Sequence, residues 1–146
     1  MRKRITARLW GNTYIGDEMK GFKKYCAVFA IGGTAYAAIE LIWRGRTHWS
    51  MVVAGGICLV LFSVIESNLS EKPLVIRVLI AAGIVTAIEL VFGLIFNVML
   101  GMNVWDYSDM PFNLFGQICP TFFLLWCALS LAALPFARLI TKKLDA

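Results

Sequence analysis

The chain has 146 residues, of which 60% are hydrophobic and 16% charged, with a net charge of +5 and a mean hydropathy of +0.75. This is one domain's length of chain carrying more apolar surface than a water-soluble fold of its size can cover, so the bilayer is the solvent it is built for. Its basic residues sit at the ends of apolar segments, a distribution that excludes a nucleic-acid-binding face and fits membrane topology.

Residues 1–24 hold seven of the fourteen Lys and Arg residues: Arg2, Lys3, Arg4, Arg8, Lys20, Lys23 and Lys24. Ile5, Leu9, Trp10 and Tyr14 are interleaved with them. The segment reads either as a short interfacial helix held to anionic lipid or as a disordered basic tail loosened by Gly11, Asn12 and Gly16. No apolar run starts before about Tyr25, so a cleaved signal peptide is not expected. Four spanning helices are expected over about 25–43, 51–69, 74–100 and 117–140, with a short tail over 141–146. Gly32-Gly33 in the first and Gly55-Gly56 in the second offer smooth patches for close helix packing. Pro73 suits a helix start, and the third segment is long enough that it must tilt or project beyond the hydrocarbon. Pro120 lies in the first turn of the fourth helix, and Pro135 is expected to kink or fray its far end.

Orientation follows from the basic residues. Twelve fall on the side of the N-terminal segment, the 67–77 turn and the C-terminal tail, against two, Arg44 and Arg46, in the 44–50 and 101–116 loops. The positive-inside rule therefore puts both termini in the cytoplasm and both loops outside, with Trp43, Trp49 and Trp105 in an outer aromatic belt.

Two carboxylates stand out, because an ionisable side chain in lipid costs about 2.5–3.5 kcal/mol on insertion scales. Ala38-Ile39-Glu40-Leu41 recurs 49 positions later as Ala87-Ile88-Glu89-Leu90. Gly56-Ile57-Cys58 is echoed by Gly116-Gln117-Ile118-Cys119. Glu40 and Glu89 each follow the expected start of their helix by 15 residues, which places both about 22 Å from the cytoplasmic edge. The pattern reads as two tandem hairpins forming a parallel internal repeat. Ala82, Thr86, Glu89, Gly93 and Asn97 share one small or polar face of the third helix, and Gly33, Tyr36, Glu40 and Arg44 share one face of the first. Two functions for these faces stand open. The glutamates line a polar pathway with Tyr36, Thr86 and Asn97, or they lock helices together through bonds to Tyr36, Thr86, Asn97 or Arg44.

The outer loops carry the remaining candidates. Arg44, Arg46 and His48 opposite Asp106 and Asp109 form either a vestibule that gathers an ion or anionic solute, or salt bridges that join the loops. His48 is the only histidine, so one chain cannot supply a multi-histidine metal site. Cys26, Cys58, Cys119 and Cys127 lack CxxC spacing and read as small buried hydrophobes, with a Cys58–Cys119 disulfide as the alternative for that pair. No catalytic triad or nucleophile elbow is present, no cofactor motif is visible, and the chain does not read as an enzyme.

Two blocks of the sequence carry a family resemblance. Tyr36-x-x-Ile39-Glu40-Leu41-x-x-Arg44-Gly45-Arg46-x-His48-Trp49-Ser50-Met51 is the first. The second, more specific block is Trp105-Asp106-Tyr107-Ser108-x-x-Pro111-Phe112-Asn113-Leu114-x-Gly116-x-Ile118-Cys119. Together, over roughly residues 25–135, they resemble the ABC-transporter type IV permease family of bacterial integral membrane proteins. The resemblance implies a multi-span protein of the inner membrane with a permease role. The sequence lacks a GxxxxGK[ST] loop, so any ATP hydrolysis would come from a separate ATPase subunit. Four helices are few for a pathway, and a homodimer would supply eight helices and four buried glutamates. The expectation is an all-α polytopic protein that moves a small solute or ion through an oligomeric pathway. The alternative is a non-transporting accessory or scaffold subunit.

Overall fold

The computed structural model describes residues 2–146, with side chains from Glu18 onward. The fold is all-helical: α1 (Arg2–Arg44), α2 (Trp49–Asn68), α3 (Leu74–Phe92), which runs on into a π-helical segment (Gly93–Met99), and α4 (Pro120–Asp145). Four stretches are long and apolar enough to cross a membrane: Glu18–Arg44, Trp49–Asn68, Leu74–Met99 and Pro120–Asp145. This is a multi-pass membrane protein. Its exterior is correspondingly apolar, with Val75, Leu79, Val91, Leu124 and Leu131 all exposed on helix flanks.

The first helix begins well before the expected 25–43 span. Lysines at 20, 23 and 24 are good helix formers, and with no proline in the segment the helix continues unbroken through the basic region. The amphipathic reading of Ile5, Leu9, Trp10 and Tyr14 lies outside the described side chains. Gly45 ends the helix in the left-handed conformation (φ 69°), its N–H donating to Leu41 O at 3.0 Å. The second helix starts at Trp49, two residues earlier than expected, because His48 caps it: its Nδ1 accepts from the Ser50 N–H at 3.3 Å. The fourth starts at Pro120 rather than 117, because Gln117 and Ile118 belong to the folded loop before it. Pro135 does not end it. The helix continues to Asp145, with the Thr141 hydroxyl donating to Ala137 O at 3.0 Å in the turns beyond the proline.

The most extensive helix contact is between α1 and α2, and the paired glycines allow it. A Cβ on Gly33 would lie 2.6 Å from Val52 O, one on Gly32 2.7 Å from Gly55 O, and one on Gly56 2.7 Å from the Phe29 ring. These patches therefore face each other, and the lack of side chains is what lets the backbones meet. α2 packs against the other three helices and α3 against α4, whereas α1 and α4 touch sparsely. The main core lies between them, with Val28, Leu59, Phe62, Ala81, Ala82 and Leu134 among its buried members.

At the end of the bundle that holds the α2–α3 turn, the buried Glu66 carboxylate accepts a hydrogen bond from Arg77 Nη1, tying α2 to α3. At that end too, Lys24 Nζ reaches Asp145 at 2.8 Å, joining the start of the first span to the end of α4.

Candidate functional site

The loop from Leu100 to Cys119 is a folded cap rather than an open connection. Asn97, on the π-helical segment, organises it: its Nδ2 donates to Trp105 O at 2.9 Å and to Gln117 Oε1 at 2.7 Å, while its Oδ1 accepts from the Val104 N–H at 2.7 Å. Trp105 is buried and donates Nε1–H to Gln117 O at 3.1 Å. Asn113 pins the tip, donating to Ser108 O and Met110 O and accepting from the Gly116 N–H at 2.9 Å. Asn103, Phe112 and Phe115 all adopt left-handed backbone (φ 49°, 58° and 54°). For non-glycine residues that conformation costs about 1–2 kcal/mol each, so the cap is held in shape by its side-chain bonds against local strain.

Beneath the cap lies a cavity of about 710 Å³ lined by all four helices. Glu40, Glu89 and Tyr36 line it, together with Arg44, Arg46, Trp105, Asp106 and Tyr107. The two glutamates are both buried and are held differently. Glu40 binds Arg44 Nη2 one turn along its own helix and accepts from the Thr47 hydroxyl at 2.7 Å. Arg44 also donates Nη1 to Val104 O at 2.9 Å, so the end of α1 is fastened to the cap through a carbonyl. Glu89 meets only neutral donors: the Tyr107 hydroxyl at 3.1 Å and Trp126 Nε1–H at 2.7 Å. Tyr107 in turn stacks on Phe122 with ring centroids 4.1 Å apart, which fixes its hydroxyl over the carboxylate.

Two loop groups have shifted protonation. Burial and then the nearby Glu89 charge push the Tyr107 phenol above its ordinary range, so it remains a donor. Exposed Asp106 is held below the usual carboxylate value by the Ser108 N–H, donating at 2.8 Å, and by the Ser108 side chain. Asp106 anchors this turn as an anion at neutral pH, and the anchor is lost only as the pH falls through its lowered value.

The other sequence candidates lie elsewhere. Thr86 bonds back to Ala82 O at 2.9 Å within its own helix, and Asn97 serves the cap. Neither lines the cavity, and neither holds a glutamate. His48 caps α2 and bonds Ser50 Oγ at 2.7 Å. Asp109 and Asn113 also lie off the cavity wall. Among the described residues no ion pair joins Arg44, Arg46 or His48 to Asp106 or Asp109, since Arg44 is taken by Glu40 and Val104. Cys58 and Cys119 are both buried free thiols.

Three participants escaped the sequence reading: Thr47, Gln117 and Trp126. Trp126 carried a signal, for a tryptophan inside an apolar span needs an acceptor for its N–H when it is buried.

The profile of a family described as "Putative ABC-transporter type IV" matches residues 20–145, which takes in all four spans' apolar stretches, the cap and the cavity. No curated protein and no solved structure matches the chain.

Proposed function

The chain belongs to the ABC-transporter type IV family, and from that premise we propose that it moves a small solute or ion across the cell's inner membrane along a pathway lined by Glu40 and Glu89. The observation that carries this reading is the cavity under the cap, where both buried carboxylates, Tyr36 and Tyr107 meet within one space between helices. A carboxylate is retained in such a setting at a cost, and its position on the wall of a space large enough for a solute gives that cost a use. The termini are cytoplasmic and the cap faces outside, in keeping with the bias of basic residues. The sparse contact between α1 and α4 leaves one side of the cavity for a second copy to close, so the pathway is completed in a homodimer. Glu40 and Glu89 then act as binding groups and not as catalysts. Any energy from ATP comes from a separate subunit.

Purified protein in liposomes should pass a small ion or solute, and Glu40→Gln and Glu89→Gln proteins that fold normally should lose about tenfold or more of that flux. Full flux in a well-folded double variant would overturn the reading.

One observation favours a second reading. Each glutamate already has two hydrogen-bond partners, as expected of groups that lock helices in an accessory subunit. No flux over a broad panel, together with co-purification of an ATPase or other membrane subunit, would favour that role.

A further inference from the structure

Five charged residues line the cavity, and four of them are accounted for by geometry. Arg44 neutralises Glu40, and Arg46 and Asp106 are exposed at the mouth beside solvent. Glu89 is left. Its side chain is buried, its two oxygens accept only from a phenol and an indole, and among the described residues no cation reaches it. A negative charge in an apolar space without a counter-charge is unfavourable, and a bound positive charge would relieve it.

The rest of the cavity selects among cations. Its walls are mainly aromatic and aliphatic, with Phe122, Trp126, Leu129 and Phe136 among them. A metal ion would want several oxygen ligands, whereas Glu40 is engaged by Arg44 and Thr47 and Asp106 by Ser108, which leaves Glu89 as the one lining carboxylate held only by neutral side chains in the buried part of this space. An organic cation can bury an apolar body along the walls and place its charge by Glu89, with the aromatic rings of Phe122 and Trp126 lining the same space. A volume of about 710 Å³ falls within the range of sites for molecules of drug-like size. An anion would be repelled, and a neutral molecule would leave the carboxylate uncompensated.

We infer that this cavity is the binding site for a hydrophobic organic monocation, with Glu89 as its counter-charge and the Phe122 and Trp126 rings as its walls. This names the substrate class for the transport reading above and rests on that reading's placement of Glu89 on the pathway.

The test is equilibrium binding of labelled tetraphenylphosphonium to the full chain in lipid nanodiscs, with triphenylphosphine oxide as a neutral competitor and tetraphenylborate as an anionic one. Saturable binding is expected, with both competitors weaker than the unlabelled cation by at least about tenfold, equivalent to about 1.4 kcal/mol. Glu89→Gln should weaken binding by a similar factor, and Gly83→Ala, away from the cavity, should leave it unchanged. Leu129→Trp keeps the carboxylate but fills the space, so it should also weaken binding, and it decides the matter if Glu89→Gln fails to fold. Equal competition by the neutral compound, or unchanged affinity in both cavity variants, would overturn the inference. Binding with no flux of any kind supports this site and removes the transport reading. Potassium flux from protein that does not bind the phosphonium overturns this site and leaves that reading standing.

Discussion

Glu89 shows how much a single residue's setting depends on the parts of the chain that come after it. Its carboxylate takes one hydrogen bond from the cap and one from α4, and each replaces water that the bilayer cannot supply. Removing one donor should cost about 1.5–3 kcal/mol, the range for hydrogen bonds to charged groups. Trp126→Phe is therefore expected to lower the thermal midpoint in detergent markedly. Tyr107→Phe should do so less, because its bond is longer and its ring still stacks on Phe122. The Glu66–Arg77 pair poses a different case, since both partners are charged and largely buried. Glu66→Gln alone leaves a guanidinium without its partner and should destabilise by about 3–5 kcal/mol, whereas replacing both residues with Met should recover most of that. Unfolding measurements on the single and double variants will separate the two outcomes. The carboxylates were legible in the sequence as charges where none belong. Their partners were not, because Trp126 lies 37 positions from Glu89 and only the folded bundle brings them together.

Among the elements, the spans were readable because hydropathy over some twenty residues is a one-dimensional signal. The glycine pairs were readable too, since small residues in a span have few uses other than close approach. Their contact can be tested against an internal control. A Cβ at Gly55 would press on the Tyr36 side chain and lie 3.0 Å from Gly32 O, so Gly55→Ala should destabilise by about 1–3 kcal/mol. At Gly83 nothing lies within 4 Å, so the same change should stabilise by up to about 1 kcal/mol through helix propensity. Opposite shifts in melting temperature are the expected result. The 100–119 cap resisted prediction for a physical reason. Its shape rests on amide side chains of Asn97, Asn113 and Gln117 bonded to backbone groups at irregular separations along the chain, and on left-handed Asn103, Phe112 and Phe115, none of which leaves a periodic trace. The same applies to the ends of α2 and α4, set by an imidazole cap and by the return of the cap loop.

For the whole molecule, orientation is the property with the plainest consequence. The proposed orientation puts the cap outside, so a cysteine replacing Phe112, which is 90% exposed, should react in intact cells with a membrane-impermeant maleimide. One replacing Lys142 should react only after the cells are opened. The reverse pattern would invert the proposed topology. Exposed Trp43 and Trp49 lie towards the cap end of α1 and α2, where an interfacial belt would hold the molecule at a fixed depth.

The glycine seam between α1 and α2 bears on the history of the molecule as well as its shape. Gly32 and Gly55 are only 23 positions apart, so the seam can close as soon as the second helix has left the ribosome, while later helices are still being made. The third helix then enters the membrane carrying Glu89, and Trp126 does not yet exist to receive it. Until the last helix is synthesised, Glu89 lacks the donor that Trp126 supplies, and completion of the chain provides it. The carboxylate that lines the finished cavity is thus less well satisfied in a chain that lacks its last helix.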